Sequence, residues 1–134
     1  MAVEEEVLEA AANIVAAFGS NDKESYFLGF SPDATFIFHS SGSRLNSRAE
    51  YEAEWSAWEV TGFRIHSCTS NDPKVTLHGG GSVAVFSHTV RTDLTVGSER
   101  LQSGERESIV FELIDGTWVA VHEHLSIDPN FLGK

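Results

Sequence analysis

Three side chains that could exchange protons stand near the C-terminal end of the chain, on both sides of a predicted turn. His122 and His124 are two residues apart and follow Asp115-Gly116, while Glu107 precedes it. Asp-Gly between two alternating segments predicts a two-residue hairpin of type I′. In that register Glu107 opposes His124, with Cβ atoms about 5 Å apart. A histidine beside a carboxylate can carry a proton near neutral pH.

A third strand adds another histidine to this row. Gly97-Ser98 predicts a second two-residue turn, and its register places His88 opposite Glu107. We therefore predict His88, Glu107 and His124 as catalytic residues, with the carboxylate orienting the imidazole beside it and raising its pKa. The predicted ligand-binding residues share the inward faces of the helices and strands: Tyr26, Trp55, Trp58, Phe86, Ile109, Trp118 and His122.

This row is open to four interpretations. The histidines could be structural, with partners such as Glu105 or Ser126, because buried polar groups need hydrogen bonds wherever they lie. They could act in acid–base catalysis, or they could only help to bind a ligand. His122-x-His124 also puts two rings on one side of a strand, so a metal site completed by Glu107 or His88 is the fourth interpretation.

Composition narrows the class of protein. The 134 residues carry a net charge of −11, which disfavours phosphate backbones and anionic membranes, so we expect neither a nucleic-acid nor a membrane partner. The single Cys68 excludes an internal disulfide and suits a reducing compartment. The N-terminal segment has no signal-peptide pattern, and we expect a cytoplasmic protein. The length predicts one domain over 1–134, with a core of about 3–127 and a fraying tail over 128–134.

Helical and strand patterns are segregated along the chain. Apolar residues at spacings of three and four predict a helix over about 3–18, and Asn21 and Ser47 are the predicted N-caps of two more helices. Alternating segments predict strands at 34–39, 63–70, 83–96, 99–114 and 117–127, and the second resumes at 75–78 after the interruption by Asn71-Asp72-Pro73. Three helices followed by a meander predict an α+β fold, with the helices packed on one face of the sheet.

The outer sheet face carries a small apolar patch in the predicted register. Val85, Val110 and Val121 fall in one row, with polar residues around them. Such a patch favours a homodimer packed sheet to sheet, because isologous dimers are the commonest oligomers. The alternative is a sheet face with scattered apolar residues.

Two segments resemble a known superfamily. FSPDATF over 30–36 and DGTWVAVHEHLS over 115–126 are similar to segments of the nuclear transport factor 2-like superfamily, in its SnoaL-like, ketosteroid isomerase-like branch. The second segment is also similar to the end of the kinase-II association domain. The resemblance implies a cone-like α+β barrel with a strongly curved, mixed or antiparallel sheet and an internal pocket. It also implies homodimerisation through the sheet and a site without metal or cofactor.

The resemblance leaves the activity open, since the superfamily includes isomerases, dehydratases, cyclases and non-catalytic modules. The positions of the ketosteroid isomerase tyrosine and aspartate hold Ile14 and Phe38 or His39. The pocket arginines of the association domain correspond to Ile109 and Val90. We expect a protein that binds a small organic ligand, with cofactor-independent isomerase-, dehydratase- or cyclase-like chemistry. The alternative is a non-catalytic association module with a vestigial pocket.

Overall fold

The helices and strands occur in the predicted order. A computed structural model describes residues 2–131 of the chain. The elements are α1 (Val3–Gly19), α2 (Lys23–Leu28), β1 (Phe30–Phe38), α3 (Arg48–Val60), β2 (Arg64–His78), a 3-10 turn (Gly79–Gly81), β3 (Val83–Val96), β4 (Glu99–Ile114) and β5 (Thr117–Ile127). No helix within the described residues combines the length and apolarity needed to cross a bilayer.

The five strands form one curled sheet whose inner face is covered by the helices. The strand order is β1-β5-β4-β3-β2. β1 runs parallel to β5, and the other three pairings are antiparallel. Helix α1 turns Val7, Ala11 and Ile14 towards the sheet, as its apolar spacing predicts. The predicted α+β class with a curved, mixed sheet is confirmed.

The helix caps agree with the sequence at one of two positions. Ser47 Oγ accepts a hydrogen bond from the Glu50 N–H at 3.1 Å and caps α3, as predicted. The N-cap of α2 is Asp22, not the predicted Asn21. Asn21 has a left-handed φ of +60°, and its Oδ1 accepts the Ile65 N–H at 2.9 Å. Its side chain therefore ties the α1–α2 loop to β2.

The β3–β4 register agrees with the prediction along both strands. Val96 pairs with Glu99 around the two-residue loop, and His88 lies directly opposite Glu107. The Asp115-Gly116 loop is also two residues long, with φ values of +51° and +80° as a type I′ turn requires.

The β4–β5 register departs from the prediction after its first pairs. Leu113 opposes Trp118 and Phe111 opposes Ala120, as predicted, but His122 then pairs with Val110. Val121 is thus the extra residue of a β-bulge. A one-residue shift exchanges the two faces of a strand.

The predicted pairs Ile109–His122 and Glu107–His124 are therefore wrong. Beyond the bulge, Ile109 opposes Glu123 and Glu107 opposes Leu125. Glu123 is buried on the inner face, while His124 is exposed on the outer face.

The bulge also changes the predicted apolar row on the outer face. Val85 and Val110 are opposite each other, but His122 takes the predicted place of Val121 beside Val110. The row continues to Thr35 on β1. The outer face is therefore less apolar than the sequence suggests.

The C-terminal segment is docked as far as it is described. The Asp128 N–H donates to the Gly104 carbonyl at 3.0 Å, and its carboxylate pairs with Arg91 at 2.9 Å. The ring of Phe131 lies against Gly104 and leaves no room there for a Cβ. Residues 128–131 of the predicted frayed tail thus make specific contacts with β3 and β4, and 132–134 lie outside the described residues.

Packed side chains fill one end of the inner face. Ala84, Phe111, Trp118 and Ala120 are buried there with Val7 of α1. Towards the β3–β4 turn, the helices and the sheet diverge and leave a cavity.

Candidate functional site

A cavity of about 440 Å³ lies between the three helices and the inner face of the sheet. Its size suits a small organic molecule. Most of its wall is apolar, with aliphatic side chains from α1, β3 and β4. Six aromatic side chains complete the wall: Phe18, Tyr26, Phe38, Tyr51, Trp58 and Phe63.

Two carboxyl groups meet on the sheet side of this cavity. Glu107 on β4 and Glu123 on β5 are diagonal neighbours, since the residue opposite Glu123 is Ile109. Both are buried, both line the cavity, and their carboxyls are close enough to share a hydrogen bond. A hydrogen bond between two carboxyls requires one proton between them.

Two tyrosines extend this pair on the helix side. The Tyr26 hydroxyl donates to Glu123 Oε1 at 2.8 Å. Since that proton is used, Tyr51, whose hydroxyl lies 3.1 Å from that of Tyr26, is the donor in the second hydrogen bond. Both tyrosines line the cavity, so a ligand would meet a continuous polar strip.

A histidine and a serine extend the pair along the sheet. His88 Nε2 lies 2.6 Å from Glu107 Oε1, and His88 Nδ1 lies 2.6 Å from Ser70 Oγ. The His88 side chain is 0% exposed. The ring therefore has a partner at each nitrogen and is fixed in one orientation.

Burial separates the protonation behaviour of the two carboxyls. Burial, followed by the charge of Glu107 and the hydrogen bond between them, raises the pKa of Glu123 well above its ordinary value. Burial also raises the pKa of Glu107, but the hydrogen bond from Glu123 opposes that rise. The shared proton therefore belongs on Glu123, and Glu107 is the carboxylate.

His88 is neutral in this arrangement. Burial lowers its pKa to about 4, although the charge of Glu123 opposes that change. The expectation that a carboxylate raises the pKa of this histidine is wrong, because the loss of hydration outweighs the attraction. A neutral ring donates its Nε2 proton to Glu107 and accepts the Ser70 hydroxyl at Nδ1.

This pair can act as an acid and a base in one site. Glu123 carries a proton and Glu107 can accept one, and both face the same apolar cavity. Carboxyls whose pKa values are separated by their surroundings are a known basis for acid–base catalysis. Burial and Glu123 raise the pKa of Tyr26 well above its usual range, so its hydroxyl remains a donor.

A second carboxylate lies where the cavity meets solvent. Glu105 Oε2 is 2.6 Å from His39 Nε2, and their side chains are 18% and 31% exposed. Both residues line the cavity. Glu105 and His39 therefore lie at a rim of the cavity that meets solvent.

The structure brings only some of the predicted site residues together. His88 and Glu107 are hydrogen-bonded, and Tyr26 and Trp58 line the cavity. The other inward predictions lie in the packed core and not in the cavity wall: Trp55, Phe86, Ile109 and Trp118. They lie on the predicted inward faces, but neighbouring side chains cover them and separate them from the cavity.

His122 and His124 lie on the outer face because of the Val121 bulge. His122 Nδ1 is 2.8 Å from the Thr35 hydroxyl. Burial and the neighbouring His124 lower the pKa of His122. Neither ring shares a face with His88 or Glu107, so the arrangement that suggested a metal site is not formed.

His124 instead lines a groove of about 480 Å³ on the outer face. Serines and a threonine also line the groove, and its other ionisable lining residues are Asp72, Lys74, His88, Arg106 and Glu107. Its charge is therefore of mixed sign, unlike that of the inner cavity.

Cys68 is an unreactive part of the cavity wall. Burial raises the pKa of its thiol to about 12, although the hydrogen bond from Thr92 opposes that rise. A thiol that stays protonated is a poor nucleophile.

Sequence reasoning did not find Glu123 or the role of Tyr51. One signal pointed to the bulge: the apolar residues of β5 that pack on the core change from even positions, Trp118 and Ala120, to the odd position of the partly buried Leu125. A change of parity within one strand is what an inserted residue produces.

Comparison with known families agrees with this geometry. The chain matches the SnoaL-like domain family over residues 7–129. It belongs to that family. This SnoaL-like domain gave no match among curated proteins.

Solved structures show the same fold in other organisms. A nuclear transport factor 2-like protein of unknown function from Prochlorococcus marinus is 24% identical, with a TM-score of 0.78 over 98% of each chain. A CamKII hub homology domain from Chlamydomonas reinhardtii is 23% identical, with a TM-score of 0.75 over 96% of this chain and 99% of that one. A nuclear transport factor 2-like protein from Cytophaga hutchinsonii is 18% identical, with a TM-score of 0.77 over 92% of this chain and 97% of that one. Likeness at this level of identity shows the fold alone.

Proposed function

We propose that this SnoaL-like domain binds a small organic molecule in its inner cavity and exchanges a proton with it through Glu107 and Glu123. The observation that carries the proposal is the buried carboxyl pair, which faces an apolar cavity of about 440 Å³. Glu107 is the base and Glu123 the acid, while His88 holds Glu107 in place. Such chemistry is of the isomerase or dehydratase kind and needs no cofactor.

The apolar wall supports a ligand with a hydrocarbon body. Aromatic rings line the cavity beside the carboxyls, and an apolar wall strengthens the effect of a carboxyl on a bound group. The Tyr26 hydroxyl donates to Glu123 and accepts from Tyr51, so it holds the acid in place beside the base. A ligand with one polar group would place it at the carboxyls and its hydrocarbon part against the rings.

A bicyclic ketone, 2-tetralone, tests both binding and proton transfer. Saturation-transfer NMR would detect binding, and exchange of its α-hydrogens in D₂O would report proton abstraction. We expect the protein to accelerate exchange above the buffer rate and Glu107→Gln to lose about 10²-fold or more of that acceleration. Binding without faster exchange would reject the proton transfer, and the absence of binding would reject the proposal.

A matched pair of variants localises the binding. Thr92 lines the cavity, so Thr92→Phe should fill it and abolish binding. Thr95, three residues along the same strand, contacts His66 at 2.7 Å outside the cavity, and Thr95→Phe should still bind 2-tetralone. Equal binding by both variants would place the ligand elsewhere.

We also infer that the chain forms a homodimer through the outer sheet face, within the cytoplasm. The half-buried Val85 and Val110 support such a contact, as do the names of similar structures, one a hub homology domain and another an association domain. Light scattering should give a dimer mass for the parent chain and a monomer mass for Val110→Glu. Val60→Glu, at an exposed position of α3, is the matched control, and an unchanged mass for Val110→Glu would contradict the interface.

A further inference from the structure

The carboxyl pair receives no positive charge from the residues that surround it. Glu107 is bound by the neutral His88 and Glu123 by the neutral Tyr26. Within residues 2–131, neither lysine nor arginine lines the cavity. A buried carboxylate is ordinarily paired with a cation, because hydrogen bonds from neutral groups replace only part of its lost hydration.

The shared proton is the protein's own response to this missing charge. Two neighbouring carboxyls in an apolar site retain one proton, since both cannot ionise at low cost. A ligand that carries a positive charge would supply the missing counter-ion. It would be favoured over a neutral ligand of the same shape, and an anion would be disfavoured.

The aromatic wall fits the same type of ligand. Rings from Phe38, Tyr51, Trp58 and Phe63 line the cavity together with the carboxyls. The faces of such rings attract cations within about 6 Å of the ring centre, and desolvated sites gain most. Carboxylates set among aromatic rings are therefore suited to an ammonium group on a hydrocarbon body.

The rim of the cavity and the net charge of the chain both favour a cationic ligand. Glu105 stands where the cavity meets solvent. The chain has a net charge of −11, which concentrates small cations near its surface and repels anions. An approaching organic cation would meet negative potential along its path to Glu107.

We propose that the cavity recognises a small organic cation, namely a primary or secondary amine on an aromatic or alicyclic body. This rests on the proposed function, because the same cavity and the same carboxyls are involved. The ammonium group binds to Glu107 and Glu123, and the hydrocarbon body lies against the aromatic wall.

Three probes with one bicyclic skeleton test this preference. 2-Aminotetralin is cationic at pH 7, 2-tetralone is neutral, and tetralin-2-carboxylate is anionic. Isothermal titration calorimetry should show the amine binding at least about tenfold more tightly than the ketone, with the carboxylate weakest. A ketone that binds as tightly as the amine would overturn this inference and leave the proposed function in place. The absence of binding by all three would overturn both.

Two glutamate variants distinguish an effect of the carboxyl pair on affinity from an effect of the net charge. In Glu107→Gln, affinity for the amine should fall about tenfold or more, while affinity for the ketone should change less than about threefold. Glu112→Gln removes the same charge from an exposed position of the same strand and should preserve the preference for the amine. Equal losses in the two variants would attribute the preference to net charge and overturn the inference. Circular dichroism of each variant would confirm that the fold is retained.

Discussion

Two neighbouring ionisable residues of β5 lie on opposite faces of the sheet, and their surroundings are therefore opposite. Glu123 is 3% exposed and belongs to a closed hydrogen-bond network, while the adjacent His124 is exposed on the outer face. One inserted residue, Val121, decides which of them reaches the cavity. The chemistry available to this site is therefore set by a local feature of one strand and not by the fold alone.

The concave regions on these faces differ in the same way. The inner cavity combines aromatic rings with glutamates, and the outer groove contains Lys74, Arg106 and His124. A thin sheet separates them. This difference agrees with the two proposals, a ligand in the inner cavity and a second copy of the chain on the outer face.

Exchange of the two neighbours, Glu123→His with His124→Glu, would break this comparison most severely. The carboxyl would then lie on the outer face, and Glu107 and Tyr26 would lose their buried partner. We expect a loss of more than about 4 kcal/mol in the free energy of unfolding, which urea denaturation would measure. Deletion of Val121 is the control, because without the extra residue His122 still faces Val110 and Glu123 still faces Ile109. An equal loss in both variants would contradict the importance of the face on which the carboxyl lies.

Replacement of one histidine on each face should give the next largest difference in stability. His88→Ala leaves Glu107 and Ser70 without their partner in a buried site, and we expect a loss of about 2–4 kcal/mol. His124→Ala removes an exposed ring, and the change should stay within about 0.5 kcal/mol. Thermal and urea unfolding of both variants would test this. Equal effects would mean that burial does not distinguish the two rings.

The pH dependence of stability gives a smaller and more specific effect. Because burial raises the native pKa of Glu123, the native state holds a proton that the unfolded chain has released above about pH 4.5. That contribution is present at low pH and is lost as the pH rises towards the native pKa. The stability of the parent relative to Glu123→Gln should thus fall with rising pH, by at most about 1.4 kcal/mol per unit.

His88 acts in the opposite direction and must be separated from this effect. Its native pKa of about 4 is below that of the unfolded chain, so its contribution is lost as the pH falls from about 6.5 towards 4. Since the parent and Glu123→Gln both contain His88, its contribution cancels in their difference to first order. Urea denaturation at several pH values would measure that difference, and one that does not vary with pH would contradict a buried proton on Glu123.

Much of the fold could be predicted from the sequence because local signals agreed with one another. Asp115-Gly116 and Gly97-Ser98 set two hairpins, and the second also set the full β3–β4 register. His88 and Glu107 were therefore placed correctly as neighbours. Register propagates reliably from a turn only while the alternation is uninterrupted.

The rest of the site depends on packing that local patterns do not encode. The bulge at Val121 interrupts the alternation where polar residues fill both faces, so either register looked acceptable beyond it. The sequence also does not indicate which end of the sheet the helices leave uncovered. For this reason Phe86 and Trp118 were predicted in the cavity wall. The three-dimensional position of the helices decides which inward side chains are covered.

The shared proton between Glu107 and Glu123 is the central claim, and carboxyl NMR tests it most directly. With ¹³C-labelled glutamate, the side-chain carboxyl shifts would be followed from acid to neutral pH. We predict one resonance that titrates well above the ordinary value of 4.5 and is absent from Glu123→Gln. If every glutamate carboxyl titrates near its ordinary value, the pair holds no proton and the account is wrong.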